Sequence, residues 1–428
     1  MKKLLLILLF AFLRFSAVPL FFLAGCLLPF HLHSQWIQQT VPVSKPIQGI
    51  KFIDSLTGWA CTGNSGSPNE GYVLHTTNGG TNWFIQLTNP STSFNAISVV
   101  NANVIYAGGS DGNGRLFKST NGGTSWTDIG VPSRVTDMVF LNQDSGYYCA
   151  DFIGADVRTT TDGGTTWQVK INGIASQTQR LFFLNYNTGF CGAGNNLYIT
   201  TNAGLNWILN NNFSQSVQSI FFLDQNTGWC GLGLNRIYFT SNGGLNWIQQ
   251  TLPPNSNSTV FDIFFNNSTT GYAGTSFDKI FKTVDGGLNW GYQADTGASY
   301  RISMLNDLTG WTGSLGAKIS RTTNGGGSIN YVGINSISTE IPSSYKLYQN
   351  FPNPFNPVTT IKVDIAKSSN ISFIIYDLLG SELYSEDKFL KTGSYSFSWD
   401  ASNYSSGTYF YRLISDIYTE TRKMILIK

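Results

Sequence analysis

The sequence predicts an all-β protein, with a seven-bladed β-propeller followed by a small immunoglobulin-like β-sandwich. A turn stretch containing Gly-Gly recurs seven times, about every 40 residues, which is the period of a propeller blade. The chain has 45 glycines, 14% aromatic residues and only 12% charged residues, a composition typical of short strands joined by tight turns. After the last copy, alternating apolar and polar residues indicate a second, smaller β domain.

The repeated stretch has a direct physical interpretation. Its Asn-Gly-Gly or Asp-Gly-Gly residues tolerate positive φ and predict a tight turn between two strands. A Thr or Ser before the turn can bond the turn backbone, and a Trp after it opens the next strand with a large apolar surface. The copies occupy residues 76–83, 119–126, 160–167, 200–207, 240–247, 283–290 and 322–329. The structural tryptophans of the repeat are Trp36, Trp83, Trp126, Trp167, Trp207, Trp247 and Trp290.

Two further strands precede each turn, a Phe-rich one and one that begins with Gly and an aromatic residue, so four short strands fill one period. Seven such units predict a propeller over residues 36–330. The seventh copy ends in Ile329 instead of Trp, whereas Trp-Ile-Gln-Gln-Thr at residues 36–40 repeats residues 247–251. We therefore expect residues 36–42 to form the last strand of the seventh blade, pairing with residues 317–322 and closing the ring.

Residues 1–35 have the pattern of a signal peptide. Lys2 and Lys3 precede two apolar runs separated by Arg14, and a charge at that position disfavours a membrane-spanning helix by about 2.5 to 3.5 kcal/mol. Cleavage near residue 35 is the first interpretation. The alternative is a lipoprotein signal, because Leu-Ala-Gly-Cys at residues 23–26 would leave a lipidated Cys26.

The remaining cysteines fall at the same region of four repeats, where small buried strand residues are expected. They are Cys61, Cys149, Cys191 and Cys230. Their spacing fits no zinc motif, and a disulfide between Cys191 and Cys230 is the pairing left open. The net charge of +2 gives no general electrostatic argument for nucleic acid or an anionic membrane as partner.

The turn stretch resembles the Asp-box of bacterial neuraminidases, most clearly at residues 160–167 and 283–290. The complete unit is more similar to the repeat of photosystem II assembly and stability factors. This resemblance covers residues 36–330, with Asn in place of Asp in five copies and Ala203 in place of the first Gly in the fourth. It implies a propeller in which the turn is structural, and it does not imply an activity.

Residues 331–344 are expected to be a Ser- and Ile-rich linker. Residues 345–428 begin with a proline-rich segment that excludes a helix and continue with five alternating segments, a pattern typical of a β-sandwich. This part resembles the type A C-terminal sorting domain of the type IX secretion system, through motifs such as Asn-Phe-Pro-Asn-Pro-Phe-Asn-Pro at residues 350–357. The resemblance implies sorting-signal residues at Gly380, Gly407, Tyr409, Lys423 and Lys428.

The same resemblance implies an export route typical of Bacteroidetes-type bacteria. The chain would enter the periplasm through its N-terminal signal, cross the outer membrane by the type IX secretion machinery, and remain on the cell surface or be released. The alternative is an appended immunoglobulin-like module without a sorting role.

Catalytic candidates are few. A glycosidase needs two carboxylates about 5 to 9.5 Å apart, yet Glu70 is the only Glu between Trp36 and Asn330. The repeat explains most aspartates, including Asp137 and Asp262, which are expected in a turn. Three aspartates remain as weak loop candidates, Asp111, Asp151 and Asp278. His75 has no histidine partner in the repeats, so no metal or cofactor is expected.

Basic residues recur at two positions of the repeat. Directly before the turn stretch stand His75, Lys118, Lys282 and Arg321, and four residues before it stand Arg115, Arg236, Lys279 and Lys318. Most belong to blades 6, 7, 1 and 2, which adjoin in a closed ring. They are either solvated charges at strand ends or one basic sector that binds an acidic polypeptide or glycan.

The sequence therefore favours a secreted or cell-surface propeller that binds an extracellular protein or glycan without catalysis. Two alternatives stay open. One is a carbohydrate-active hydrolase that uses the loop aspartates, and the other is an assembly factor for a membrane complex.

Overall fold

The computed structural model describes residues 36–63, 70–150, 155–174, 178–253, 258–276, 280–293, 300–327, 329–331, 333–338 and 341–428. The signal predicted for residues 1–35, with its Cys26, lies outside these described residues. The described part belongs to one compact unit and is built of strands, with no α-helix. Accordingly, no helix in that part is long and apolar enough to cross a membrane.

Seven antiparallel sheets surround a central channel, and the innermost strands of neighbouring sheets contact one another around the whole ring. The chain starts with β1 (Ile37–Gln39). Blades 1 to 3 contain β2 (Ile47–Phe52), β3 (Gly58–Thr62), β4 (Gly71–Thr76), β5 (Phe84–Asn89); β6 (Ser93–Val99), β7 (Ile105–Ser110), β8 (Gly114–Ser119), β9 (Thr127–Asp128); and β10 (Val135–Phe140), β11 (Gly146–Ala150), β12 (Ala155–Thr160), β13 (Gln168–Ile174).

Blades 4 and 5 contain β14 (Thr178–Phe183), β15 (Gly189–Ala193), β16 (Asn196–Thr200), β17 (Ile208–Asn212); and β18 (Ser219–Phe222), β19 (Gly228–Gly231), β20 (Arg236–Thr240), β21 (Ile248–Thr251). Blades 6 and 7 contain β22 (Val260–Phe265), β23 (Gly271–Thr275), β24 (Ile280–Thr283), β25 (Gly291–Tyr292); and β26 (Arg301–Met304), β27 (Gly310–Gly313), β28 (Ile319–Thr322), with β1 as the fourth strand. The seven-bladed propeller predicted from the turn period is confirmed.

The ring closes through the N-terminal strand. Residues of β1 pair antiparallel with β28, with Ile37 opposite Arg321 and Gln39 opposite Ile319. Trp36, directly before β1, is buried and meets the ring of Tyr272 edge-on at 6.4 Å between centroids. The pairing is the one that the copied Trp-Ile-Gln-Gln-Thr sequence predicts, although the strand is shorter than the predicted residues 36–42.

The turn stretch folds around its first Thr or Ser. In the first copy, Thr76 Oγ1 accepts a hydrogen bond from Gly80 N at 2.8 Å, and Asn78 Oδ1 accepts one from Asn82 N at 2.9 Å. Gly79 and Gly80 have φ of 69° and 89°, as predicted for a Gly-Gly turn. The side chains thus stabilise a backbone that is more elaborate than a two-residue hairpin turn.

Aromatic stacking joins neighbouring blades. In five blades the aromatic residue that follows Gly in the second strand, or Ile105 in blade 2, lies flat on the last residue of the inner strand of the next blade, with centroids 3.5 to 3.9 Å apart. The pairs are Trp311 with Phe52, Tyr106 with Phe140, Tyr147 with Phe183, Phe190 with Phe222 and Trp229 with Phe265. This stacking explains the Gly-aromatic pattern, because a side chain on the Gly would collide with the inner strand's last residue of the same blade, as between Gly58 and Phe52.

The four cysteines of the described residues form no disulfide and are buried in the second strands, as expected for small core residues. No bond links Cys191 to Cys230, so the disulfide left open by the sequence is not formed. Burial raises the pKa of Cys61 to about 12, which keeps its thiol protonated.

The C-terminal domain is a sandwich of two four-stranded sheets. Its strands are β30 (Gly333–Ser338), β31 (Lys346–Leu347), β32 (Val358–Ile365), β33 (Ser369–Tyr376), β34 (Glu382–Leu390), β35 (Gly393–Asp400), β36 (Gly407–Ile414) and β37 (Thr419–Leu426). The sheets have the orders β30-β35-β32-β31 and β34-β33-β36-β37. Their inner faces enclose one apolar core that includes Phe373, Phe397 and Tyr411.

Residues 331–344 do not form the linker that the sequence predicts. Because β1 occupies the edge of blade 7, the chain leaves the seventh turn and adds β29 (Asn330–Tyr331) to β25 as a fifth strand of blade 6. It then enters the sandwich directly, since β30 pairs with β35. Tyr292 of blade 6 also donates its hydroxyl to Asp400 of the sandwich at 3.4 Å.

Candidate functional site

The basic residues directly before the turn stretch bind the neighbouring blade. Lys118 Nζ donates to the carbonyl oxygen of Gly163 at 3.1 Å, and Lys282 Nζ donates to that of Gly325 at 2.9 Å. Each acceptor is the first glycine of the next blade's turn. Each ammonium also lies over a tyrosine ring of its own blade, 5.3 Å from Tyr106 for Lys118. These lysines therefore stabilise the contacts between blades.

Arg321 and His75 occupy the same position in blades 7 and 1. The Arg321 guanidinium lies 5.3 Å from the Trp311 ring, and its Nη1 would be 2.7 Å from a Cβ placed on Gly79 in the next turn. His75 stacks on Trp59 at 4.5 Å. Its Nδ1 lies 3.0 Å from Gln86 Nε2.

At other blade junctions, uncharged side chains donate the hydrogen bond to the carbonyl of the next turn. Donors to the first-glycine carbonyl, or to Ala203 in the fourth turn, include Gln39, Gln86, Gln250 and Tyr147. A role shared by lysine, glutamine and tyrosine is structural, because all three supply one donor to one carbonyl.

The second row of basic residues lies at the opposite end of the third strand. Arg115 near the start of β8 binds Asp111 at 2.7 Å and Asp128 at 2.8 Å, while Arg236 Nη1 donates to Ser214 Oγ at 2.5 Å. Lys318 precedes β28, and Lys279 lies outside the described residues. The two rows therefore do not form the single basic sector that the sequence suggested.

Of the three loop aspartates, Asp111 is the one that the structure describes, since Asp151 and Asp278 lie outside the described residues. Partial burial raises the pKa of Asp111, but hydrogen bonds from Arg115 outweigh this effect and leave the pKa below its usual value. A carboxylate held ionised and paired in this way is unsuited to donating a proton as a general acid.

A different group of charges lies in the central channel. One position of the innermost strand pairs with the same second-strand position in every blade: Gly49, Ala96, Asp137, Arg180, Ser219, Asp262 and Arg301. In five blades a bulge immediately precedes this position and interrupts the regular pairing. Charged residues thus occur as two Asp-Arg pairs, in blades 3 and 4 and in blades 6 and 7.

The two aspartates bind the backbone in the same way. Asp137 accepts the amide N–H of Met138 at 2.9 Å through one carboxylate oxygen and that of Leu181, in the next blade, at 3.0 Å through the other. Asp262 repeats this with Ile263 and Ile302. Desolvation raises the pKa of both carboxyl groups, although the arginines partly offset it. The aspartates therefore fix the blades and neutralise part of the arginine charge.

The arginines face each other across the channel. Arg180 Nε donates to the carbonyl of Gln218 in blade 5 at 2.6 Å, and Arg301 Nε donates to that of Gln48 in blade 1 at 2.8 Å. Desolvation lowers the pKa of Arg180, and the positive charge of Arg301 lowers it further. The pKa of Arg301 is raised instead, because its desolvation is outweighed by the charges of Tyr300, Asp262 and Asp137.

The pKa of Tyr300 is affected by the positive charge of the two arginines. Its ring lies 4.1 Å from the Arg301 guanidinium and 4.6 Å from the Phe261 ring. Burial raises the pKa of this phenol, but Arg301 and Arg180 outweigh burial and bring it below the usual value. For Tyr147, by contrast, burial raises the pKa. The two arginines therefore favour negative charge beside Tyr300.

The arginines line a cavity of ≈ 170 Å³ together with Asp137, Asp262, Gln48 and Asn95. Two residues further along the inner strands, Phe182, Phe221 and Phe264 form an apolar arc with centroids 5.6 and 5.2 Å apart. Lys51 occupies the equivalent position of blade 1, and its pKa is lowered by desolvation against the opposing charge of Asp262. The cavity is small for a drug-sized ligand and suits one side chain or a small anion.

The arginines of this channel are suited to binding an anion. Among the described residues no group of three or more His, Cys, Asp or Glu could hold a metal ion. Both carboxylate oxygens of Asp137 and Asp262 already accept backbone amides, which leaves them poorly placed as nucleophile or base. Arg301 donates through Nε to Gln48 and through Nη1 to the carbonyls of Phe261 and Tyr300. Arginines that line a polar cavity in this way are typical of carboxylate or phosphate recognition.

The sequence interpretation missed this cluster and was wrong in placing Asp137 and Asp262 in a turn, since they lie in β10 and β22. The sequence nevertheless contains a pattern that indicates these charges. Aligned on the last residue of the Phe-rich strand, four repeats carry a charge three residues earlier where the others carry Gly, Ala or Ser. Charge at a half-buried strand position in only some repeats points to function.

The residues that the resemblance implies as sorting signals lie mostly at one end of the sandwich. Gly380 is in the turn after β33, Gly407 and Tyr409 begin β36, and Lys428 follows β37, whose Leu426 pairs with Gly407. Lys428 N donates to Ser406 Oγ at 2.9 Å. Lys423 is the exception because it lies further along β37, opposite Phe410.

Residues 349–428 match the family described as secretion system C-terminal sorting domain. The chain therefore ends in such a domain, as the sequence motifs indicated. No match was found among the curated proteins.

The solved structures share the fold. A structure titled YCF48 bound to D1 peptide has a TM-score of 0.57 at 18% identity and covers 68% of this chain and 97% of its own. YCF48 from Cyanidioschyzon merolae has a TM-score of 0.56 at 16% identity, covering 67% and 98%. PorZ, a surface component of the type-IX secretion system of Porphyromonas gingivalis, has a TM-score of 0.50 at 14% identity, covering 91% of this chain and 61% of its own.

Proposed function

Because the chain ends in a secretion system sorting domain, we propose that it is a non-enzymatic binding propeller exported through the type IX secretion system. Its ligand is an acidic group presented by an extracellular polypeptide, bound in the central channel. The observation that carries this proposal is the convergence of Arg180 and Arg301, from opposite sides of the ring, on one polar cavity.

Charge and size both support an acidic side chain as the ligand. Arg180, Arg301 and Lys51 bring three positive charges to the channel against two aspartates whose oxygens are engaged with backbone amides. A carboxylate between two guanidinium groups gains charge-assisted hydrogen bonds and relieves their repulsion. The apolar arc of Phe182, Phe221 and Phe264 suits the aliphatic part of such a side chain.

The similarity to YCF48 gives support of another kind. That propeller has been solved with a peptide bound, so a propeller of this fold can accept a polypeptide segment. The sorting domain supports a partner outside the cell, on the outer-membrane surface or in the medium. A surface location also makes an assembly role inside the cell a poorer account of this chain.

Binding can be tested with short peptides. We expect a Glu-rich peptide to bind the purified protein in a salt-dependent manner, and its Gln counterpart to bind at least about tenfold more weakly. The double substitution Arg180→Gln and Arg301→Gln should weaken Glu-peptide binding by a similar factor. The matched control is Arg236→Gln, which removes an arginine of blade 5 that does not line the cavity. Equal affinity for both peptides, or no effect of the double substitution, would contradict the channel assignment.

Export can be tested separately. In a host with a type IX secretion system, the complete protein should reach the cell surface or medium, whereas a chain ending before residue 349 should stay in the periplasm. Protease accessibility on intact cells distinguishes the two locations. Equal export of both chains would overturn the proposed route.

A further inference from the structure

Exposed apolar side chains of the C-terminal domain gather at one end. We call this the sorting end and define it by residues 377–381, 401–406 and 427–428, together with the lead-in to β32. Register places these segments together, because Tyr376 pairs with Phe410 and Gly407 pairs with Leu426. Of eight large apolar residues exposed in residues 341–428, five lie here: Phe351, Val358, Leu378, Leu379 and Ile427.

Leu378 and Leu379 form the most exposed part of this end. Leu379 is 91% exposed and Leu378 70% exposed, and both values hold with the propeller attached. Ile427 is two strand spacings away across β36, about 10 Å. Single exposed leucines are common, but adjacent ones beside further apolar residues form a patch of the kind used for protein recognition.

The turn that carries the two leucines is held in one conformation. Asp377 Oδ1 accepts the amide N–H groups of Leu379 and Ser381, both at 2.8 Å. Gly380 N donates to the carbonyl of Asp377 at 3.2 Å, and Gly380 has φ of 84°. Because the backbone is already fixed, inserting these side chains into a partner would cost little conformational entropy.

The core of the sandwich does not need these leucines. The buried cluster contains Ile375 on the strand before the turn and Leu390 at the end of the strand after it, but neither leucine of the turn. A rigid turn that presents apolar side chains outward gains nothing for its own domain. The domain matches a family described as a sorting domain, which makes the export machinery the candidate partner for this surface.

We propose that the Leu378-Leu379 turn is the anchor by which a protein of the export machinery recognises this chain, inserting into an apolar pocket of that protein. Ile427, two strand spacings away, extends the contact. This proposal rests on the type IX export proposed above. The partner's pocket is apolar because the turn offers it two leucines and no charged side chain beyond Asp377, whose Oδ1 is occupied by the turn.

The test uses the complete protein in a type IX-competent host. Leu378→Ser with Leu379→Ser should reduce the extracellular fraction at least about tenfold, with the protein accumulating in the periplasm. Leu378→Met with Leu379→Met, which keeps the apolar character, should retain export. Ile417→Ser is the matched control, because Ile417 is 73% exposed on the turn at the opposite end of the sandwich. Thermal unfolding of each purified variant should match that of the original protein, since the substituted side chains are exposed.

The outcomes separate the two proposals. If the original protein is exported and the double-serine variant is exported equally, the anchor is wrong and the route stands. If the original protein itself stays in the periplasm, the route is wrong and the anchor falls with it. Loss of export by Ile417→Ser to the same degree would also overturn the anchor. A variant pair that self-associates less, with export unchanged, would assign the turn to contacts between copies of this chain instead.

Discussion

The indole Nε1 of Trp36 donates a hydrogen bond to Gln293 Oε1 at 2.8 Å, so the first described residue is fixed to blade 6. Gln293 in turn donates through Nε2 to the carbonyl of Gly325 in the seventh turn, also at 2.8 Å. The defective seventh repeat is thereby completed by residues from both sides of the closure. Ring closure depends on side chains as well as on the pairing of β1 with β28.

Replacing Trp36 by Ala should therefore weaken the closure of the ring. Loss of a buried indole typically costs about 3 to 5 kcal/mol of unfolding free energy, and the hydrogen bond to Gln293 is lost as well. Denaturant unfolding measures the change. Ile37→Ala is the neighbouring control, because Ile37 is 65% exposed and should change stability by less than about 0.5 kcal/mol. Equal effects of the two substitutions would contradict a special role of Trp36 in closure.

The contact between Lys282 and Gly325 predicts a second stability effect. Lys282→Met keeps the aliphatic stem over Tyr272 but removes the donor to the Gly325 carbonyl, so the unfolding free energy should fall by about 1 to 3 kcal/mol. The lower part of that range is expected because Gln293 still donates to the same carbonyl. Lys318→Met, near the start of β28, should leave the melting temperature unchanged. A neutral effect of Lys282→Met would show that the blade junction does not depend on this donor.

The sequence predicts some of these structural features and not others. The Gly-Gly turns and the tryptophans were readable because their positions favour one residue type. Positive φ favours glycine, although Ala203 adopts a φ of 57° in the fourth turn, and the strand after the turn favours an aromatic residue. The function of Lys118 and Lys282 was not readable. A lysine that serves a carbonyl of the next blade and a lysine in solvent look alike until the blades are placed side by side.

The channel charges and β30 were missed for different physical reasons. Asp137 and Arg180 act across blades, and only closure of the ring brings arginines from distant repeats to one cavity. The β30 segment is short and rich in Ser and Ile, so its pattern resembles a linker. Its pairing with β35 comes from the position of the chain as it leaves blade 6.

The role of β30 leads to a prediction about the isolated C-terminal domain. A fragment beginning at residue 341 lacks the strand that covers the edge of β35, whereas one beginning at residue 330 retains it. The longer fragment should be more stable by at least about 2 kcal/mol, because several backbone hydrogen bonds are kept and an exposed edge is avoided. Thermal unfolding and limited proteolysis of both fragments check this. Identical melting curves would restrict the domain to the residues that match the sorting family.

The turn that carries Asp162 should make the stability of the protein depend on acid pH. Hydrogen bonds from Thr166 lower the pKa of Asp162 to about 2, with the Thr166 hydroxyl 2.6 Å from Oδ2. Since the folded pKa lies below the unfolded value, this carboxylate stabilises the fold above about pH 4, and the contribution is lost as the pH falls through the folded pKa. Asp162→Asn keeps the Oδ1 contacts, as Asn78 shows with Asn82 in the first turn. The stability difference between the original protein and Asp162→Asn should thus be largest near neutral pH and vanish near pH 2.

The reciprocal change Asn121→Asp, where Ser125 lies 2.8 Å from the Asn121 side chain, should introduce the same pH dependence into the second turn. Unfolding free energies measured across this pH range would contradict the argument if either difference stayed constant.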